Sequence, residues 1–122
     1  MLDVRKFRVL IVDDELEMLA GIAGLLRTRT DLEVFTAQTA DQAIELLPGV
    51  DAVIADCVFP DSERFNRLAD RSGKPIIRMS GLVANTVNLE LSKPFTKQQL
   101  RDSVELLRFL HSGSGPRDLR RA

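Results

Sequence analysis

The 122-residue chain has the length of one globular domain, and 44% hydrophobic content is enough to form a core. Its 17 Lys and Arg against 18 Asp and Glu leave a net charge of −1, which excludes a basic nucleic-acid surface as the main function. No apolar run approaches the roughly 20 residues of a membrane span, Met1 to Arg8 has no signal-peptide core, and the lone Cys57 excludes an intramolecular disulfide, so a cytoplasmic module is expected.

Val9-Leu10-Ile11-Val12 is a continuous apolar run, the mark of a strand buried on both faces. From Glu15 to about Arg27, Leu19, Ile22, Ala23 and Leu26 recur at helical spacing, while Met18 and Leu25 fall opposite that stripe. Glu33 to Ala37 reads as a short strand. Thr39-Ala40-Asp41-Gln42 has the form of a capping box, opening a helix through Leu47 that Pro48-Gly49 stops. Asp51 to Ala55 is a third strand. After a loop around Pro60, Ser62 to Arg71 forms a weaker amphipathic helix through Phe65, Leu68 and Ala69, broken by Ser72-Gly73-Lys74. Pro75 to Met79 and Leu89 to Ser92 read as the last strands. Thr96-Lys97-Gln98-Gln99 is a second capping box, with Phe95 and Leu100 placed as a hydrophobic staple, and its helix runs to about Leu110. The stretch from Ser112, with its glycines and arginines, reads as a linker-like tail.

Strands alternating with helices predict an open, doubly wound parallel sheet, in which ligands bind beyond the carboxyl ends of the strands. Asp13-Asp14-Glu15 follows the first strand, Asp56 the third, Ser80 the fourth and Lys93-Pro94 the fifth. On a parallel sheet these residues converge on one rim. Carboxylates held about 4–5 Å apart repel by a few kcal/mol per pair at an effective dielectric near 20, so the cluster needs a cation or raised pKa values. Oxygen ligands without His or Cys select a hard cation, and Mg²⁺ fits few carboxylates and several waters. The plainer alternative is that Asp13 and Asp14 cap the first helix, which explains one acid but not a third on a different strand.

In order along the chain, Val9-Leu10-Ile11-Val12-Asp13-Asp14-Glu15, Asp51-Ala52-Val53-Ile54-Ala55-Asp56 with Pro60, Ile76-Ile77-Arg78-Met79-Ser80-Gly81 and Ser92-Lys93-Pro94-Phe95 together resemble the response-regulator receiver family. The resemblance spans Val9 to Leu110. It implies a flavodoxin-like α/β fold with a five-stranded parallel sheet in the order 2-1-3-4-5 and helices on both faces, a receiver domain over residues 1–111 and a flexible tail over 112–122. It further implies that Asp56 accepts a phosphoryl group from a histidine kinase or histidine phosphotransfer protein. Mg²⁺ would sit on Asp14, Asp56 and the main-chain carbonyl of Val58, with Asp13 acting through water. Lys93 and Ser80 would contact the phosphoryl group. The chain would catalyse only its own phosphorylation and dephosphorylation.

Three features depart from the family. Gly81 to Asn88 is eight residues, which cover only ~12 Å as a helix against the ~17 Å of a strand, so the family's fourth helix should be reduced or absent. Glu90 stands three residues before Lys93, where an aromatic is usual, and Arg64 stands where the loop usually has glycine. Leu106, Phe109 and Leu110 lie round the last helix from its core stripe of Leu100, Val104 and Leu107, marking a surface for a second copy, an output protein, or packing over the gap. A phosphorylation-independent interaction module with the same fold is the main alternative. A phosphoaspartyl hydrolase ranks lower, because Asp56-Cys57-Val58 lacks the second acid such enzymes use. A nucleotide-binding role ranks lowest, with no glycine-rich fingerprint present.

Overall fold

A computed structural model describes residues 6–80, 90–92 and 96–112, with the backbone alone described for 80 and 90–92. Strands β1 (Phe7–Val12), β2 (Leu32–Ala37), β3 (Ala52–Asp56) and β4 (Ile76–Ser80) lie parallel in the spatial order β2-β1-β3-β4. A three-residue β5 (Glu90–Ser92) runs parallel along β4, with Glu90 the register partner of Arg78. Helices α1 (Leu16–Leu26) and α4 (Lys97–His111) cover one face; α2 (Ala40–Leu46) and α3 (Ser62–Ser72) cover the other. The doubly wound parallel α/β arrangement is the one expected from the alternation of strands and helices.

Two-residue periodicity splits the core cleanly. Val9, Ile11, Ala52, Ile54, Ile77 and Met79 pack against Leu19, Ile22 and Leu26 of α1 and Leu100, Val104 and Leu107 of α4. Leu10, Val12, Val53 and Ala55 point the other way, against Ala40 and Ala43 of α2 and Phe65 and Ala69 of α3. Val9 to Val12 are wholly buried, as a central strand covered on both faces requires. The crossovers reverse direction at β1: the chain leaves it for β2 on one side, then returns past it to β3 on the other. That reversal opens the crevice at the carboxyl ends of β1 and β3.

Local signals account for the helix ends. Thr39 caps α2 by accepting from the Gln42 N–H. Thr96 and Gln99 complete the second capping box in both directions. Gly73, with φ 72°, terminates α3 in the left-handed conformation that a glycine adopts without Cβ strain.

Several expectations need correction. Met18 is partly buried against the α1 side of the core, because its flexible thioether widens the stripe. Leu68 is 37% exposed, while Phe65 and Ala69 carry the core contact of α3. The third strand runs from Ala52 through Asp56, and Leu47 belongs to a 3₁₀ turn (Leu47–Gly49) rather than to α2. The connection 81–88, the staple residue Phe95 and the tail beyond 112 lie outside the described residues, so the expected loss of the family's fourth helix does too.

Candidate functional site

Register brings the acids together. Val12 pairs with Ala55, so the next residues along the two parallel strands, Asp13 and Asp56, stand level at the switch point. Asp13 continues the course of β1 for one more residue, its N–H donating to the Ala37 carbonyl at 3.1 Å. Its carboxylate is wholly buried, and Oδ1 accepts the Glu15 N–H at 2.9 Å. Asp14 is exposed and Asp56 half-buried, and one carboxylate oxygen from each of the three lies within 4.8 Å of the other two.

This geometry disposes of the capping alternative. The N-cap position of α1 is Glu15, so neither Asp13 nor Asp14 occupies it. Asp13 instead forms a local turn with the Glu15 amide, which fixes the carboxylate at the rim. Three acidic oxygens so close repel by a few kcal/mol per pair at an effective dielectric near 20. The donor set is oxygen only and open to solvent on the Asp14 side, which fits a hard divalent cation that keeps part of its water shell. The residues present therefore fit Mg²⁺.

The loop beyond β3 is anchored on both sides of Val58. The Cys57 N–H donates to the Met79 carbonyl at 2.9 Å, extending the β3–β4 ladder past Asp56. Phe59 is buried with its ring 6.1 Å from that of Phe65. Between them the side chain of Val58 is 78% exposed. Ser80 closes β4 on the same rim, as the register partner of Ser92. Lys93 lies outside the described residues.

Sequence reasoning missed the bend that launches α3. Asp61 is, among the described residues, the non-glycine residue with positive φ, at 66°. Arg64 holds it: Nε donates to Asp61 Oδ2 at 2.8 Å, and Nη2 pairs with both Asp61 and Asp41 of α2. The available signal was Asp itself after Pro60, since Asp enters the left-handed region more readily than most residues. Arg78 of β4 went unremarked as well; it donates to Asn66 and Asp70 of α3.

No family model matches the sequence, and no curated protein matches it. Solved structures do. The receiver domain of the hybrid histidine kinase CckA is 26% identical with a TM-score of 0.67, over 82% of this chain and 97% of that one. A CheY-like response-regulator receiver domain protein from Methanospirillum hungatei JF-1 is 20% identical with a TM-score of 0.74, over 90% and 99%. The signal receiver domain of an HD domain-containing protein from Pseudomonas fluorescens Pf-5 is 21% identical with a TM-score of 0.76, over 89% and 99%. The chain is thus built on the CheY-like response-regulator receiver fold.

Proposed function

We propose that this chain is a phospho-accepting receiver of a two-component or phosphorelay pathway, with Asp56 as the acceptor. The observation that carries the reading is the convergence of Asp13, Asp14 and Asp56 at the switch point of the sheet. A carboxylate oxygen of Asp56 attacks phosphorus, the bond from phosphorus to the donor breaks, and an acyl phosphate remains. The leaving group is imidazole from a phosphohistidine, or acetate from acetyl phosphate. Attack of water on the acyl phosphate returns inorganic phosphate and the Asp56 carboxylate.

Asp14, Asp56 and the Val58 carbonyl would hold Mg²⁺, with Asp13 acting through water. The ion supplies neutralisation of the acids and of the phosphoryl oxygens. Buried Asp13 is locked by the Glu15 amide, so the site is positioned before any donor arrives. Ser80 at the end of β4 would hydrogen-bond a phosphoryl oxygen, and Lys93 would pair with another. Such a chain acts on no substrate but itself.

The likeness to the receiver of a hybrid histidine kinase supports a histidine kinase or histidine phosphotransfer protein as donor. The three-residue β5 is taken as the closing strand of the order 2-1-3-4-5. A cytoplasmic location is part of this proposal; no described helix is long and apolar enough to cross a membrane. On α4, Leu106 and Phe109 are exposed, and they are the surface offered to a second copy or an output protein.

Incubation with Mg²⁺ and acetyl phosphate should add one phosphoryl group to the wild type and none to Asp56→Asn, read by intact mass. Labelling of Asp56→Asn at the wild-type level overturns the assignment. A wild type that takes no phosphoryl group from any donor favours the phosphorylation-independent interaction module instead.

A further inference from the structure

The loop between Asp56 and α3 turns on a residue that carries a Cβ in left-handed backbone. Asp61 adopts φ 66° and ψ 22° as the N-cap of α3 yet makes no side-chain cap hydrogen bond. A left-handed conformation costs a residue with a Cβ some free energy, less for Asp than for most, and side-chain contacts offset that cost. One turn into α3, Arg64 meets the Asp61 carboxylate through Nε at 2.8 Å and Nη2 at 2.7 Å. The same Nη2 reaches Asp41 in the first turn of α2. The planar fork of a guanidinium fixes direction as well as distance, so one side chain ties the bend to two helices. The Arg64 N–H donates to the Asp61 carbonyl at 3.2 Å and the Ser62 N–H to the Phe59 carbonyl at 2.9 Å, which closes the turn from Phe59 onward.

Upstream of that closed turn only Cys57 and Val58 separate Asp56 from buried Phe59. The Cys57 N–H is held by Met79, so the course of the Val58 main chain is set by where the bend places Phe59. We propose that Arg64 is a positioning residue of the acceptor site: by holding Asp61 in the left-handed bend it fixes the Val58 main chain beside Asp56. The inference rests on the phospho-accepting reading above and assigns a role to the residue that stands where glycine is usual. The side chains of Arg64, Asp41 and Asp61 are 43%, 82% and 58% exposed, and exposed ion pairs add little to stability. Loss of the clamp therefore reads out in site geometry, not in melting.

Arg64→Gln, Asp61→Gly and the double variant test this. Mg²⁺ affinity is followed by calorimetry, since the chain has no Trp or Tyr, and labelling by acetyl phosphate is followed by intact mass. Arg64→Gln should bind Mg²⁺ about threefold more weakly and label about threefold more slowly, the size of effect that an exposed ion pair supports. The double variant should return to near the wild-type values, because glycine takes a positive φ unaided. Unchanged Mg²⁺ affinity and labelling in Arg64→Gln overturns the proposal, as does a double variant as impaired as Arg64→Gln. A wild type that neither binds Mg²⁺ nor takes phosphoryl overturns the phospho-accepting reading instead. The clamp is then judged by amide exchange at Cys57: faster in Arg64→Gln but not in the double variant sustains it, and equal exchange in wild type and Arg64→Gln refutes it.

Discussion

Asp13 is buried completely while one of its carboxylate oxygens lies within 4.8 Å of an oxygen of Asp14 and one of Asp56. Such crowding trades stability for function, because each like-charge pair costs free energy until a cation arrives. Asp13→Asn keeps the acceptor oxygen for the Glu15 amide and removes one charge. In the absence of Mg²⁺ it should stabilise the fold by about 1–2 kcal/mol at an effective dielectric near 20, read as a melting temperature raised by several degrees. The same variant should lose most of the Mg²⁺-induced rise in melting temperature. A lower melting point without Mg²⁺ would mean that the acids are not under mutual repulsion. The three aspartates were legible because they follow apolar runs at fixed places. Arg64 and Asp61 were not, because an ion pair across one helical turn and into α2 leaves no periodic trace.

At the scale of the element, the amphipathic stripes foretold which faces are buried, and the exceptions have local causes. On α4, Leu100, Val104 and Leu107 enter the core as their spacing predicts, and Leu106 and Phe109 stay outside at 38% and 48% exposure. On α1, Leu25 is exposed but Met18 is not, and Leu16 at the start of the helix is the more exposed apolar residue there. Sedimentation of the wild type over a range of concentrations, against Phe109→Glu, checks what α4 meets. A dimer that the variant loses assigns the face to self-association; monomers in both remove that assignment. Strand limits were less legible than helix caps. A capping box is a local hydrogen-bond pattern, whereas the end of β3 at Asp56 depends on its neighbour β4.

Across the whole molecule, Asp31 joins distant parts of the chain. It accepts from Nε and Nη2 of Arg29 at 3.1 and 2.7 Å, and from Arg108 of α4, 77 residues away. Arg108 also lies 5.3 Å from the centre of the Phe7 ring, and Arg29 stands 3.6 Å from Glu105. Hydrogen bonds from Arg29 first, and from Arg108, lower the Asp31 carboxyl to about 2 from 3.8. A lowered folded-state value means that the stabilisation is complete above about pH 4 and is lost as pH falls through about 2. Because Asp31 is 41% exposed, solvent screening holds the contribution to about 1 kcal/mol. Asp31→Asn should therefore melt lower than wild type at pH 6, and the gap should close between about pH 4 and 2. A gap that persists unchanged to pH 2 would assign the effect to packing rather than charge.

The apolar runs and their spacing were enough to determine alternation of strands and helices, and with it a parallel sheet whose rim collects Asp13, Asp14 and Asp56. Periodicity carries that information because burial on one face or two is decided residue by residue along the chain. Only the tertiary structure decided that Asp13 stands level with Asp56 rather than capping α1, since register between strands far apart in sequence depends on both at once. It alone showed the bend at Asp61 held by Arg64 and the tie from Asp31 to α4, because the direction of a side chain in space is set by the elements packed around it.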